Sequence, residues 1–342
     1  PTQHSVKQLL ENGVQPDVLV LRTEHHIDEQ IRAKVALFTN VSIDAVVQSV
    51  DVPSIYEVPL KMLEEKLDVT VLRKLDLPVR EPADLEDWKG FLHRLKNPEH
   101  AVEIALVGKY VELHDAYKSI SEALVHAGAA NNARVTVRWI HSESLTETNV
   151  EKKLRSAGGI LVAPGFGHRG IKGKILAARF ARENNIPYFG ICLGMQIAVI
   201  EFARHVLHLE EADSTEINPG TPHPVIDLME QQKEVTDFGG TMRLGAYECR
   251  LISRKSKVFE AYNKLTISER HRHRFEFNNA YLPQFEKAGM KAVGINPDTD
   301  LVEIVEIPAH KWFVGVQFHP EYRSTVLNPH PLFVSFIRSV LA

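Results

Sequence analysis

The sequence predicts an α/β protein whose larger part is a doubly wound, mostly parallel sheet, and two observations favour this fold. Short apolar runs, typical of buried strands, alternate with helical patterns between about residues 101 and 206. That order is expected of parallel strands joined by crossover helices. The clearest junction lies in segment 186–206, where a strand pattern passes through a glycine-bearing turn directly into a helical pattern.

Length and composition exclude several classes of protein. The 342 residues are enough for two domains, and 44% apolar with 25% charged residues is ordinary for a soluble globular protein. The net charge of −4 gives no electrostatic footprint for nucleic acid. The two cysteines, Cys192 and Cys249, form no disulfide framework, which favours a reducing, cytoplasmic location. The chain has no signal-peptide pattern and no apolar run near ~18 residues, so we expect no membrane role.

The first 76 residues are predicted to form one α/β segment, the end of a parallel sheet. Helical patterns cover residues 5–12, 28–39 and 60–67, and strand patterns cover residues 17–22 and 45–50. Residues 77–100 are predicted to be a linker that contains a helix over 85–95. Pro78 and Pro82 interrupt the chain, Asp84 is a good N-cap for this helix, and Asn97-Pro98 ends it.

A second domain is predicted over residues 101–342. Its strands are expected at residues 102–107, 134–140, 159–162 and 187–191, and its helices at 115–127, 150–156, 172–184 and after residue 192. From residue 209 to residue 274, proline, glycine and short β-like pieces dominate, which predicts an antiparallel excursion. A closing strand pair at 302–307 and 312–318 and a final helix at 331–341 complete the domain.

The turn at residues 190–194 is the main candidate for a catalytic element. It places Cys192 between Gly190 and Gly194 where strand meets helix, the pattern of a nucleophile elbow with cysteine in the place of serine. A side chain on such a turn stands at the carboxyl end of the sheet. The free N–H groups and partial positive charge of the helix N-terminus favour the thiolate, which is the nucleophilic form. A buried structural cysteine is the alternative that this stretch alone leaves open.

Two further segments complete a candidate catalytic set. His319 follows the predicted strand 312–318, and Glu321 stands two residues later, so the pair fits a general base with an orienting carboxylate. By itself such a pair is a weak signal, because surface loops contain many of them. Segment 160–167, ILVAPGFG, is a strand that ends in a glycine-bearing loop, whose backbone N–H groups are candidates for an oxyanion hole.

These segments together resemble the glutaminase domain of class I, triad-type glutamine amidotransferases. Four motifs narrow the resemblance to the CTP synthase family: PTQHSV at residues 1–6, DVPSIY at 51–56, GGTMRLG at 239–245 and RHRHRFEFN at 270–278. The resemblance covers essentially the whole chain. It implies that residues 1–76 are the C-terminal part of an α/β P-loop-type synthetase (amidoligase) domain and that residues 101–342 are the glutaminase domain.

The resemblance also bears on how much of the family protein this chain represents. The sequence begins without methionine and has no phosphate-binding glycine loop of the kind with which the synthetase domain starts in the family. We therefore expect the chain to be the C-terminal portion of a longer protein, with the glutaminase half-reaction as its own activity.

The reaction that the resemblance implies is the ATP-dependent amination of UTP to CTP with ammonia from L-glutamine. Cys192 would attack the side-chain amide of glutamine, His319 would protonate the departing ammonia, and Glu321 would hold the imidazole tautomer. The residues implied to bind glutamine or its oxyanion are Gly165, Leu193, Gly194, Met195, Gln196, Glu216 and Arg274. Within this set a carboxylate suits the ammonium group of an amino acid and a guanidinium suits its carboxylate.

Nucleotide sites and regulators follow from the same resemblance. The UTP/CTP site is implied to include Pro1, Thr2, Gln3 and Lys34, and the ATP site Val50, Asp51 and Val52. For Lys34, an exposed helix lysine is the alternative. In this family ATP acts with Mg²⁺, GTP is an allosteric activator, CTP is an inhibitor, and the enzyme is a homotetramer. We expect no prosthetic group, no metal ligands in this chain and no nucleic-acid partner.

A loop is predicted to sense GTP. It runs over residues 166–172 and is joined by Lys109, Tyr110 and Lys118, because an aromatic face with nearby cations suits a purine nucleotide. Solvated loop lysines are the alternative, since lysines are common in loops.

One position departs from the family pattern. The family reads P-G-G-F-G where this chain has APGFG at residues 163–167, and the proline, Pro164, has no N–H to donate. If the N–H of the first glycine binds the oxyanion in relatives, the oxyanion here must be bound by the Gly165 N–H together with the Leu193 N–H. Three functions stay open: a glutamine-dependent CTP synthase, another triad-type amidase such as a γ-glutamyl hydrolase, and a catalytically inactive binding or assembly module.

Overall fold

The computed structural model describes residues 1–79, 81, 83–228 and 242–342. The predicted chain breaker Pro82 and the first part of the GGTMRLG motif, residues 239–241, lie outside the described residues. The chain divides into two compact units, Pro1–His93 and Arg94–Ala342.

The first unit contains a two-stranded parallel sheet and small helices. Strands β1 (Leu19–Thr23) and β2 (Val46–Val50) pair along their whole lengths. The helices are α1 (Thr2–Glu11), α2 (Glu29–Thr39), α3 (Val58–Glu64) and α4 (Leu67–Lys74), and α5 (Glu86–Lys96) begins in this unit. Asp28 caps the start of helix α2, because its carboxylate accepts a hydrogen bond from the Ile31 N–H at 2.7 Å.

One prediction in this unit is wrong. The single helix expected over residues 60–67 is two helices, α3 and α4. Lys66 lies between them with a φ of +57°, a left-handed conformation that cannot continue an α-helix. The predicted linker helix is present as α5, and the Glu86 N–H donates to the Asp84 carboxylate at 3.0 Å.

A nine-stranded sheet forms the centre of the second unit, and its strand order is β10-β9-β12-β13-β14-β6-β5-β3-β4. Five neighbouring strands are parallel: β4 (Ala133–His141), β3 (His100–Gly108), β5 (Gly159–Val162), β6 (Tyr188–Ile191) and β14 (Phe313–Val316). Four antiparallel strands extend it: β13 (Val302–Glu306), β12 (Lys291–Ile295), β9 (Arg243–Leu251) and β10 (Thr266–His273). The predicted closing pair of strands is therefore confirmed as β13 and β14.

Helices cover both faces of this sheet, which confirms the doubly wound α/β fold. They are α6 (Lys118–Ala130), α7 (Val150–Leu154), α8 (Ile171–Glu183), α9 (Leu193–His205), α10 (Lys257–Tyr262), α11 (Leu282–Ala288) and α12 (Pro331–Leu341). Alternate residues of β5 show the arrangement: Ile160 and Val162 belong to one buried cluster, whereas Leu161 belongs to the other. A strand buried on both faces reads as a continuous apolar run, as this one does.

The β excursion differs in part from the prediction. A separate three-stranded sheet contains β7 (Ala212–Ser214), β8 (His223–Leu228) and β11 (Phe275–Phe277). Strands β8 and β11 are antiparallel, but β7 pairs with β8 in parallel. Strands β9 and β10 join the main sheet instead. The pairing partners of such short strands are decided by packing, which local sequence patterns do not report. Within the described residues, none of the helices has the length and apolar character needed to span a bilayer.

Candidate active site

Cys192 lies on a strained turn between β6 and α9. Its backbone has φ +52° and ψ −106°, a conformation that a residue with a side chain adopts only under the constraint of its surroundings. Two backbone hydrogen bonds supply that constraint: the Cys192 N–H donates to the Val316 carbonyl at 2.7 Å, and the Met195 N–H donates to the Cys192 carbonyl at 3.0 Å. The side chain is 2% exposed.

The two glycines of the turn allow the helix to pack directly on the sheet. A Cβ on Gly194 would lie 2.2 Å from the Val162 carbonyl oxygen, and a Cβ on Gly190 would lie 2.6 Å from the Gly194 carbonyl group. Real side chains do not tolerate such distances, so both positions require glycine. The G-x-C-x-G pattern is thus explained by close approach of backbone to backbone.

His319 and Glu321 reach the site because β14 is the neighbour of β6 in the sheet. His319 follows the end of β14, and its own N–H is fixed by the Arg270 carbonyl at 2.8 Å. The His319 Nδ1 is 2.8 Å from Glu321 Oε1, and both side chains are buried. Burial lowers the pKa of His319, but the charges of Cys192 and Glu321 outweigh it and raise that pKa to about 11. The imidazole is thus hydrogen-bonded to Glu321 through Nδ1, whereas its Nε2 atom has no hydrogen-bond partner among the described residues.

Three side chains hold the loop over residues 163–167. Lys174 Nζ donates to the Ala163 carbonyl at 2.6 Å, Lys109 Nζ donates to the Phe166 carbonyl, and Glu216 accepts from the Gly167 N–H at 2.8 Å. Glu216 thus carries a structural contact in addition to its predicted role in glutamine binding.

Two residues predicted as oxyanion donors, Gly165 of this loop and Leu193, lie near each other. Gly165 is close to Leu193, because a Cβ on Gly165 would lie 3.6 Å from the Leu193 side chain. Neither the Gly165 N–H nor the Leu193 N–H donates a hydrogen bond within the described part of the chain. Pro164 stands one residue earlier and offers no N–H. Both remaining amides are therefore available to an anionic oxygen.

A cavity of about 190 Å³ adjoins the cysteine. Its lining residues are Gly165, Phe166, Cys192, Gln196, Glu216, Met242, Arg272, His273, Arg274 and Phe275. It thus brings together four of the residues predicted for glutamine binding: Gly165, Gln196, Glu216 and Arg274. Met195 has a different environment, because its side chain is fully buried in the apolar core under β14.

Buried ion pairs support the strands that carry this lining. Arg243, in the described part of the GGTMRLG motif, is 2.5 Å from Glu303 and 3.4 Å from Glu276. His273, in the RHRHRFEFN motif, is 2.7 Å from the same Glu276. These contacts join β9, β10, β11 and β13 beside the cavity, and removing one member would leave a buried charge unpaired.

Lys174 was not singled out by the sequence analysis. Its side chain is fully buried in α8, and burial lowers its pKa from 10.5 to about 7, with the nearby Lys109 adding to the decrease and Cys192 opposing it. The only signal in the sequence is a lysine on the apolar face of a helix. Gln317 was missed too; it is a fully buried polar residue directly after the apolar strand β14.

The lowered pKa of Lys174 predicts a pH-dependent stability. Because the folded-state pKa lies below the unfolded value of 10.5, the protonated lysine destabilises the fold at and below pH 7. Lys174 should then contribute a rise in the free energy of unfolding between about pH 7 and 10, by as much as about 5 kcal/mol at about 1.4 kcal/mol per pH unit. The raised pKa of His319 acts in the opposite direction over the same range, so the Lys174 contribution is the difference in pH dependence between the wild type and Lys174→Met. Urea unfolding followed by tryptophan fluorescence measures this rise.

Lys174→Met should abolish that pH-dependent rise, because methionine has a similar volume and no titrating group. The matched control is Lys172→Met on the exposed side of the same helix, which should leave the rise intact. An equal pH dependence of the free energy of unfolding in all three proteins would show that Lys174 does not carry the effect.

The candidate nucleotide residues lie in the first unit. Pro1, Thr2 and Gln3 stand at the start of α1, and Lys34 is exposed on α2. Asp51 follows β2 and forms a 2.9 Å ion pair with Arg22. That contact gives Asp51 a partner within its own unit.

The predicted GTP-sensing loop has a defined arrangement. The Arg169 guanidinium lies 5.3 Å from the centre of the Tyr110 ring, and Lys109 holds the loop through the Phe166 carbonyl. Lys118 pairs with Glu122 at 2.7 Å on α6. An aromatic ring with a stacked cation is thus present, whereas a role in nucleotide binding stays a prediction.

Comparisons with known proteins match both units. The family model for glutamine amidotransferase class-I matches residues 112–339, and the model for the CTP synthase N-terminus matches residues 1–77. A CTP synthase of Flavobacterium johnsoniae is 59% identical over 341 residues, which is 100% of this chain and 63% of the relative. A CTP synthase of Cytophaga hutchinsonii is 62% identical over 339 residues, 99% of this chain and 63% of the relative.

A solved structure agrees with the fold of the second unit. It is the glutaminase domain of Trypanosoma brucei CTPS with bound acivicin, which is 38% identical, with a TM-score of 0.67 over 70% of this chain and 94% of that one. The chain spans about 63% of the length of the two curated relatives. The strained cysteine turn, the paired His319 and Glu321 and the likeness along both units together make this chain a member of the CTP synthase family, with a class-I glutamine amidotransferase domain.

Proposed function

We propose that this chain hydrolyses L-glutamine to glutamate and ammonia through Cys192, His319 and Glu321. The observation that carries the proposal is the pairing of β6 with β14. It brings a cysteine on a strained elbow and a carboxylate-bound histidine to neighbouring strand ends, where ligands bind in open α/β sheets.

The chemistry follows from these positions. The Cys192 sulfur attacks the side-chain amide carbon of glutamine, and the tetrahedral intermediate collapses as His319 gives a proton to the departing ammonia. A γ-glutamyl thioester remains, and water, deprotonated by His319, cleaves it to glutamate and the free thiol. Glu321 keeps the His319 Nδ1 protonated, at 2.8 Å, so that Nε2 faces the reaction.

The oxyanion would be held by two backbone amides, those of Leu193 and Gly165. Both lack a hydrogen-bond acceptor among the described residues, which supports their availability. The missing N–H at Pro164 would then not slow catalysis, because the neighbouring Gly165 supplies the second donor. A missing donor would cost about 10²–10³ in rate.

Substrate recognition would use the two opposite charges in the cavity. Glu216 and Arg274 both line it and would bind the ammonium and carboxylate groups of glutamine. Leu193, Gly194 and Met195 would contribute through the backbone at the start of α9, since Leu193 and Met195 bury their side chains and Gly194 has none. Gln196 reaches the cavity with its side chain.

For the whole protein we propose ATP-dependent amination of UTP to CTP by the released ammonia. Residues 1–76 would belong to the synthetase domain, 77–100 to a linker and 101–342 to the glutaminase domain. In the synthetase part we propose Pro1, Thr2, Gln3 and Lys34 for UTP or CTP and residues 50–52 for ATP. Family likeness supports these assignments.

The regulators and the assembly belong to the same proposal. GTP would activate through the loop over residues 166–172, CTP would inhibit, and the protein would act as a cytoplasmic homotetramer. Mg²⁺ would enter with ATP. The described residues contain no cluster of three His, Cys, Asp or Glu side chains suited to a metal ion, and we assign none of them to it.

Glutamate release from L-glutamine, measured with and without GTP, tests the glutaminase proposal. We expect release, faster with GTP, and none with γ-glutamyl peptides. A preference for γ-glutamyl peptides would identify a generic γ-glutamyl hydrolase instead. Acivicin, which is bound in the Trypanosoma brucei relative, provides a second readout: a covalent adduct on Cys192, detected by mass spectrometry, is expected. Absence of both release and adduct would identify a non-catalytic module.

A further inference from the structure

The side chains of Gln196 and Gln317 form a hydrogen-bonded relay that ends at the nucleophile. Gln196 Nε2 donates to the Phe275 carbonyl at 2.9 Å and to Gln317 Oε1 at 3.2 Å. Gln317 Nε2 in turn lies 3.7 Å from the Cys192 sulfur. Gln317 is fully buried and Gln196 is 4% exposed, so both amides depend on these partners rather than on water.

The donor and acceptor groups along this relay follow from the chemistry of its members. The Phe275 carbonyl can only accept a hydrogen bond, so Gln196 must turn its NH₂ group toward it. The second hydrogen of that NH₂ group then points at Gln317 and requires an acceptor there. Gln317 must therefore present its oxygen to Gln196, which leaves its own NH₂ group facing the Cys192 sulfur.

We infer that Gln317 is a positioning residue, which donates a hydrogen bond to the sulfur of Cys192 and thereby favours and orients the thiolate. An N–H donor stabilises an anionic acceptor more than a neutral one. The inference deepens the proposed glutamine hydrolysis and rests on it, because it concerns the same nucleophile.

The backbone around Gln317 is fixed independently of the side chain. The Gln317 N–H donates to the Glu303 carbonyl at 2.8 Å, and the adjacent Val316 carbonyl accepts from the Cys192 N–H at 2.7 Å. This segment thus contacts the nucleophilic turn through the Val316 carbonyl and the Gln317 side chain. The relay also joins the nucleophile to the cavity wall at Phe275.

The pH profile of Cys192 alkylation by iodoacetamide tests this inference, because the thiolate is the form that reacts. In a Cys249→Ala background only one cysteine remains. Gln317→Met removes the donor, and Gln317→Glu replaces it with an isosteric acceptor. In Gln317→Met we expect the midpoint of the profile to move up by about one pH unit, with alkylation about tenfold slower at pH values below the wild-type midpoint. In Gln317→Glu we expect a larger shift, because the carboxylate also repels the thiolate.

A matched control separates this effect from general loosening of the core. Phe318→Leu alters an equally buried neighbour outside the relay and should leave the midpoint unchanged. Gln196→Glu should raise the midpoint although residue 317 is intact, because a carboxylate cannot donate to Gln317 and the Gln317 amide then turns over. If folded Gln317 and Gln196 variants keep the wild-type midpoint, the relay does not act on the sulfur.

The alkylation assay needs no glutamine turnover, so its outcome does not depend on whether the chain hydrolyses glutamine. Absence of glutamate release from the wild-type chain would overturn the glutaminase proposal. An unchanged alkylation midpoint in the variants would overturn the role of Gln317 alone.

Discussion

Replacing Cys192 with alanine is expected to abolish glutamate release from L-glutamine, with a decrease of at least about 10⁴-fold in kcat. No thioester can form without the sulfur. The substitution should leave the fold intact, because alanine keeps the Cβ and meets the same backbone strain at φ +52°. Glutamate formation is measured with a coupled dehydrogenase assay, and the trapped acyl-enzyme by mass spectrometry of the rapidly quenched reaction.

The second cysteine provides the control for this experiment. Cys249 is fully buried, and burial together with the nearby Glu303 raises the pKa of its thiol, so it is a poor nucleophile. Cys249→Ala should therefore retain glutamate release. Substantial activity in Cys192→Ala, or its loss in a folded Cys249→Ala variant, would contradict the assignment of the nucleophile.

Replacing Gly194 with alanine is expected to destabilise the second unit by about 3 kcal/mol or more. Its new Cβ would lie 2.2 Å from the Val162 carbonyl oxygen, so α9 would have to move away from strand β5. A loss of that size should lower the melting temperature by about 10 °C. Thermal unfolding followed by circular dichroism measures it.

A glycine in open surroundings is the natural comparison. The nearest atom to a Cβ on Gly220 would be 3.8 Å away, so Gly220→Ala should change stability by no more than about 0.5 kcal/mol. Equal melting temperatures for Gly194→Ala and Gly220→Ala would show that the helix packs on the sheet less closely than the structure indicates.

Much of the local structure could be predicted because it depends on neighbours in the chain. Strand β5 was expected at residues 159–162 and is found there. A strand buried on both faces needs apolar side chains at successive positions, so an uninterrupted apolar run predicts it. The helix over 60–67 was wrong because the left-handed backbone at Lys66 leaves no sign in side-chain periodicity. The parallel pairing of β7 with β8 was missed for a related reason, since short strands take their partners from tertiary packing.

Some residues of the candidate site could likewise be predicted from local sequence, and others could not. Cys192, His319 and Glu321 carry visible signals, a glycine-flanked turn and a polar pair after an apolar strand. Their catalytic roles stay predictions. Lys174 and Gln317 carry almost no signal, because their significance depends on contacts with Ala163 and Cys192, which residue spacing within one helix or strand does not reveal.

The sequence by itself determined the α/β class, the strand–turn–helix junction around Cys192 and the resemblance to a family, because each depends on residue types at fixed local spacing. Only the tertiary structure decided that β14 lies beside β6, that a buried lysine holds the loop over residues 163–167 and that two glutamines connect the cavity wall to the sulfur. The physical reason is burial. Removal from water makes an unpaired polar group costly, and tertiary packing, not local spacing, determines which partner such a group finds.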